Sequence, residues 1–107
     1  MQSIAGKIAW VTGAGTGIGR AAAVALAQAG ATVILSGRRV PQLEAVAERI
    51  ADAGGVAKIE PLDIVDVDAV YAVAARIADS HGRLDMLIHS AGLNLPKRRW
   101  RDIDNAG

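Results

Sequence analysis

The sequence predicts an α/β domain built on a parallel sheet, and three observations carry that prediction. Short apolar runs rich in β-branched residues alternate with longer segments whose apolar residues recur at helical spacing. The connections are short and punctuated by glycine. The order strand, helix, strand, helix repeats from one end to the other, which is the pattern of parallel strands joined by right-handed crossovers. A length of 107 residues suits one domain, and no linker or low-complexity tract divides it.

The elements follow in order. Residues 7–12, Lys-Ile-Ala-Trp-Val-Thr, form the first strand-like run, and residues 13–19 break it with four glycines. A helix is expected over 20–28, rich in alanine and closed by Gly30 as its C-terminal cap. Residues 31–36, Ala-Thr-Val-Ile-Leu-Ser, suit a strand buried on both faces. Pro41 fits the first turn of a second helix, whose Leu43, Val46, Ala47 and Ile50 share one face, and Gly54-Gly55 stop it. The third run, 56–62, carries Lys58, Glu60 and Pro61, which favour a sheet edge. Asp66 is the expected N-cap of a third helix lined by Val70, Val73, Ala74 and Ile77, and Gly82 ends it. Residues 84–90 read as a fourth strand. A basic loop over 92–99 and the start of a further helix at Trp100 complete the chain.

Composition narrows the function. The chain is 51% hydrophobic and 21% charged, too apolar for disorder. Twelve Lys and Arg against eleven Asp and Glu leave a formal charge of +1, which argues against nucleic-acid binding by bulk electrostatics. The cluster of Lys97, Arg98, Arg99 and Arg101 around Trp100 therefore reads as a solvated loop. With no cysteine, a disulfide scaffold and a thiolate metal site are excluded, and no metal is expected. No apolar run reaches the length of a membrane span, and residues 1–5 do not resemble a secretory signal. A soluble cytoplasmic protein is expected.

The glycine cluster has chemical meaning because of its place between a predicted strand and a predicted helix. Gly13, Gly15, Gly17 and Gly19 leave backbone N–H groups open to a pyrophosphate, and the helix N-terminus adds unpaired donors and partial positive charge. Gly13 makes the tight turn, while Gly17 and Gly19 permit close approach of phosphate and of helix to sheet. No Lys-Ser/Thr pair follows, so the loop is not a P-loop. At the end of the second strand, where an NAD site places a carboxylate, stand Arg38 and Arg39. A guanidinium takes a 2′-phosphate through paired charge-assisted bonds, so NADP is preferred over NAD, with Arg38 the nearer candidate. A dinucleotide fold of this kind, Rossmann-type and doubly wound, orders its strands 3-2-1-4, which places the charged third strand at an edge. Here it would be incomplete, with four strands and three crossover helices.

The pattern Thr-Gly-x-x-x-Gly-x-Gly over 12–19 resembles the first turn of the short-chain dehydrogenase/reductase family. The resemblance runs along nearly all of residues 1–107 but corresponds only to the first part of that family's domain. It implies hydride transfer between NADP(H) and an alcohol or carbonyl substrate, with Gly13, Thr16, Gly17, Ile18 and Gly19 at the phosphates. It also implies Asp63 and Ile64 at the adenine and Ser90, Ala91 and Gly92 at the ribose. On capping grounds alone, Asp63 serves equally as a helix cap before Asp66. The family's Asn-Asn-Ala-Gly appears here as His89-Ser90-Ala91-Gly92, with both asparagines replaced. His89 reads as structural, because no carboxylate or nucleophile is identifiable beside it. The family's chemistry uses a Ser and a Tyr-x-x-x-Lys pair. The single tyrosine, Tyr71, has Ala75 four residues on, so no catalytic residue is expected and residues 1–107 alone should not turn over substrate. A fourth strand left as an edge beside an uncovered apolar face predicts a homo-oligomer. Two other readings stay open: a non-catalytic nucleotide-binding or interaction protein, and an S-adenosylmethionine methyltransferase, which wants an acidic residue where Arg38 stands.

Overall fold

A computed structural model describes residues 4–90. Seven elements alternate: β1 (Ile8–Thr12), α1 (Gly17–Gln28), β2 (Thr32–Ser36), α2 (Val40–Asp52), β3 (Val56–Ile59), α3 (Val67–His81) and β4 (Met86–His89). The four strands form one parallel sheet in the order β3-β2-β1-β4. This is the strand order that the sequence predicts, with the charged third strand at an edge. The basic loop, the helix expected at Trp100, and Ala91 and Gly92 lie outside the described residues.

The register explains the two cores. Alternate side chains point to opposite faces of a sheet, and aligned residues of neighbouring parallel strands share a face. Ala9 and Val11 of β1 lie beside Val33 and Leu35 of β2, on the face covered by α1 and α2. The helix α1 presents Gly19, Ala23 and Ala27 to the sheet, small residues that let it sit close. Leu43, Val46 and Ile50 of α2 complete that core, each worth roughly 1.5–3 kcal/mol once buried. Ile8, Trp10 and Ile34 point the other way, under Val73 and Ile77 of α3 and under Leu62. Trp10 buries its indole there, and its Nε1–H donates to Ser36 Oγ at 2.8 Å, tying β1 to β2; among the described residues no buried side-chain nitrogen or oxygen is left without a partner. Helices on both faces make the sheet doubly wound.

The elements differ from the sequence-based bounds at their ends. The strands are shorter than the apolar runs that predict them, although backbone pairing continues past β3: Glu60 N–H donates to Leu35 O and Leu62 N–H to Gly37 O. Pro61 lies between these donors, on the side of the strand that has no neighbour, so its missing N–H removes no ladder bond. The helix α1 begins three residues earlier than alanine content suggests, because Gly17 to Gly19 form its first turn. Its C-cap is Ala29, and Gly30 follows at φ +102°, where Ala31 N–H reaches back to Leu26 O and Gly30 N–H to Ala27 O in a Schellman closure. On the face of β4 that lies beyond α3, Leu87 is 57% exposed.

Candidate functional site

The C-terminal ends of parallel strands, where the connections diverge, form the natural crevice of a doubly wound sheet. Here the ends of β1, β2 and β4 and the turn after β3 surround a cleft of about 510 Å³. The glycine loop forms its floor. Gly13 turns at φ +68°, and a Cβ there would fall 2.0 Å from Ser90 O. Ala14 is buried and donates its N–H to Ser36 O at 3.0 Å, which fixes the loop to the end of β2. Gly15 lies against Gln42 of α2, 3.0 Å from its Cβ to a notional Cβ on the glycine. Gly19 is buried, and a Cβ there would lie 2.0 Å from Gly13 O. These contacts require bare backbone, so helix, loop and the end of β4 nest without side chains between them.

The start of α1 is left open. Thr16 is its N-cap, but the Thr16 side chain makes no capping hydrogen bond, and the first turn holds no acidic residue. The first N–H groups of a helix have no partner within it. The N-terminal turn thus offers donors and partial positive charge at the cleft. Gly17 adopts φ +57° with open space around it.

Eight of the residues singled out from the sequence come together on this cleft: Gly13, Gly15, Thr16, Arg38, Arg39, Asp63, Ile64 and Ser90. Arg38 and Arg39 are exposed and form no ion pair with a carboxylate among the described residues. Among the described residues Asp63 is the only carboxylate on the cleft wall; its Oδ1 accepts from Val65 N–H at 3.1 Å, a tight local turn. It does not cap α3, since Asp66 does so by accepting from Ala69 N–H at 3.1 Å. Three singled-out residues are not on the cleft wall. Gly17 is at the helix start, Ile18 projects from it at 80% exposure, and Gly19 faces inward as a packing residue. Among the described residues no group of His, Cys, Asp or Glu is arranged to hold a metal ion, and no helix is long and apolar enough to cross a membrane.

Sequence reasoning missed part of the wall. Gln42 and Leu43 reach the cleft because α2 begins directly above the end of β2, and Leu43 packs against Gly37. The amphipathic pattern identifies Leu43 as core but not as a wall. Thr12 and His89 also face the cleft, and Thr12 Oγ1 and His89 Nδ1 form a 2.6 Å hydrogen bond across β1 and β4. Only the parallel register Thr12↔His89 brings them together.

Comparison with known proteins agrees with this geometry. The family model for short chain dehydrogenase matches residues 7–105. An uncharacterized oxidoreductase of Mycobacterium tuberculosis is 38% identical over 97 residues, covering 88% of this chain and 28% of the relative. A 3beta-hydroxysteroid dehydrogenase of Mediterraneibacter gnavus is 41% identical over 87 residues, covering 81% of this chain and 32% of the relative. The chain thus spans about a third or less of the length of these relatives. Among solved structures, a metagenomic short-chain oxidoreductase in complex with NADP superposes with a TM-score of 0.82 at 37% identity, over 92% of this chain and 48% of that one.

Proposed function

This chain belongs to the short-chain dehydrogenase family, and on that premise we propose that residues 1–107 form the NADP-binding portion of an oxidoreductase acting on an alcohol or carbonyl substrate. One observation carries the reading: the bare glycine loop, the uncapped start of α1 and two guanidiniums with no ion pair among the described residues share a single cleft. The loop amides at 13–19 bind the diphosphate. Arg38, with Arg39 beside it, binds the 2′-phosphate. Asp63 and Ile64 hold the adenine, and Ser90, Ala91 and Gly92 lie along the ribose. The donor set fits such a ligand, because amides and guanidiniums are anion donors and, among the described residues, the cleft wall carries two Arg against one Asp. When bound, NADP(H) supplies or accepts the hydride.

Residues 1–107 do not include a proton-transfer pair for that chemistry. Tyr71 is 71% exposed on α3, does not line the cleft and has Ala75 four residues on. These residues bind and orient the dinucleotide and form the first part of a larger domain. A homo-oligomer in the cytoplasm belongs to the same reading, and the exposed Leu87 on β4 supports association.

Calorimetric titration with NADP, NAD and S-adenosylmethionine tests it. NADP is expected to bind more tightly than NAD by about tenfold or more, one charge-assisted bond being worth about 1.5–3 kcal/mol. Arg38→Ala is expected to remove that preference while NAD binding is kept. Binding of S-adenosylmethionine alone would overturn the reading, and sustained NADPH oxidation by residues 1–107 would overturn the division of labour.

A further inference from the structure

The proposed cofactor site does not use the imidazole of His89, although it lies on the cleft wall. His89 ends β4 and is exposed, and the residue after it, Ser90, presses its carbonyl against Gly13. The ring therefore shares the cleft with Gly13, Gly15 and Thr16. It is also anchored. Thr12, 4% exposed, engages Nδ1 at 2.6 Å, so Nε2 is the ring nitrogen left for a ligand. A hydroxyl donates or accepts, so this bond persists whether the ring is neutral or protonated. In the neutral ring Thr12 Oγ1–H donates to Nδ1, and after protonation Nδ1–H donates to Thr12 Oγ1.

The charges around the ring set its response. The strand β1 contributes no charged side chain, and α1 contributes only Arg20. Arg38 and Arg39 approach from the turn after β2 and Asp63 from the turn after β3. On its own strand's approach, Arg83 and Asp85 stand at the opposite end and are paired with each other. No carboxylate is hydrogen-bonded to His89 among the described residues. Arg38, Arg39 and Asp63 share the cleft wall with His89, and a bound dinucleotide adds negative phosphates to it.

Resting on the cofactor reading above, we propose that His89, pinned by Thr12, is an additional cofactor-contacting residue that takes up a proton from solvent when the diphosphate binds. Dinucleotide affinity then rises as pH falls. The bound state holds the proton more tightly than the free state, so the gain is absent well above the bound-state midpoint and complete below the free-state midpoint. A rise of one pH unit in that midpoint corresponds to about a tenfold gain in affinity across the window.

The test uses NAD, which lacks a 2′-phosphate that itself titrates near neutrality. Calorimetry of the purified protein in two buffers of different ionisation enthalpy near pH 7 counts the protons exchanged. Proton uptake on NAD binding is expected for the native protein and not for His89→Asn, with native affinity rising up to about tenfold from pH 8 to pH 5. NMR titration of the imidazole resonances, assigned with His81→Gln, supplies a second readout that needs no change at His89. Its midpoint is expected to move upward when NAD saturates the site. NAD binding with no proton uptake, uptake that survives in His89→Asn, or an unmoved His89 midpoint overturns the inference alone. Absence of binding by both NAD and NADP at every pH overturns the cofactor reading with it.

Discussion

Two helices of this domain start at the same rim of the same sheet and end their first turns in opposite ways. At α3 the first turn is closed: Asp66 accepts from Ala69 N–H, and Asp68 adds a second negative charge to the positive end of the helix. At α1 the corresponding place holds Thr16 with no capping bond and no acid in the first turn. A side-chain cap is worth about 1 kcal/mol, so α1 forgoes a stabilisation that α3 takes. The difference teaches where the molecule keeps its donors available. The closed turn is a structural terminus, whereas the open one leaves N–H groups and partial charge at the cleft, next to Arg38 and Arg39.

The largest test of that contrast removes the close fit that holds the open turn in place. Gly13→Ala and Gly19→Ala each put a methyl group 2.0 Å from a backbone carbonyl oxygen, at Ser90 and Gly13 respectively. A loss of about 3 kcal/mol or more is expected, read as a shift of the urea midpoint. For Gly13 the φ of +68° adds to it. If either variant kept the native midpoint, close nesting of the loop would not be what fixes α1.

A more discriminating variant grafts the α3 solution onto α1. Thr16→Asp supplies the missing cap and is expected to raise stability by about 0.5–1 kcal/mol. The same carboxylate stands where the diphosphate is proposed to sit, so dinucleotide affinity should fall by about tenfold or more, measured by calorimetry. Unchanged affinity would break the contrast. The reciprocal variant, Asp66→Ala, is expected to cost about 1 kcal/mol in thermal or urea unfolding and to leave nucleotide affinity as it was.

The smallest expected effect lies at the opposite end of the sheet. Hydrogen bonds from Arg83 hold the Asp85 carboxyl below its ordinary range, helped by the Ile8 N–H, which donates to Oδ2 at 2.8 Å. A depressed carboxyl contributes stability above its unfolded-state value, near pH 4, and the contribution fades as pH falls through the folded-state value. Melting temperatures from pH 7 to pH 2 should therefore fall less steeply in Asp85→Asn than in the native chain. Parallel curves would show that the Arg83 pair contributes nothing to acid sensitivity.

How much of this was legible beforehand depends on the range of the interaction. Asp66 as a cap, Gly82 as a stop and Pro41 in the first turn of α2 are local choices, made by side chains within a few residues of the backbone they serve. They can be read from spacing alone. The early start of α1 could not, because glycine has poor helix propensity and Gly19 packs against Gly13 and Ser90, neighbours that helix propensity does not reveal. Gln42 became a wall residue for a similar reason, since nothing near it in sequence says that it will lie over Gly15.

By itself the sequence determined the alternation of strands and helices, the edge place of β3 and the glycine loop at a helix start. Each of these follows from local backbone freedom or from which residues tolerate burial. Only the tertiary structure decided that Arg38, Asp63 and Ser90, drawn from three separate turns, share one cleft, and that Thr12 anchors the ring of His89. Those neighbours lie up to 77 positions apart, and parallel pairing, not sequence spacing, sets the distance between them.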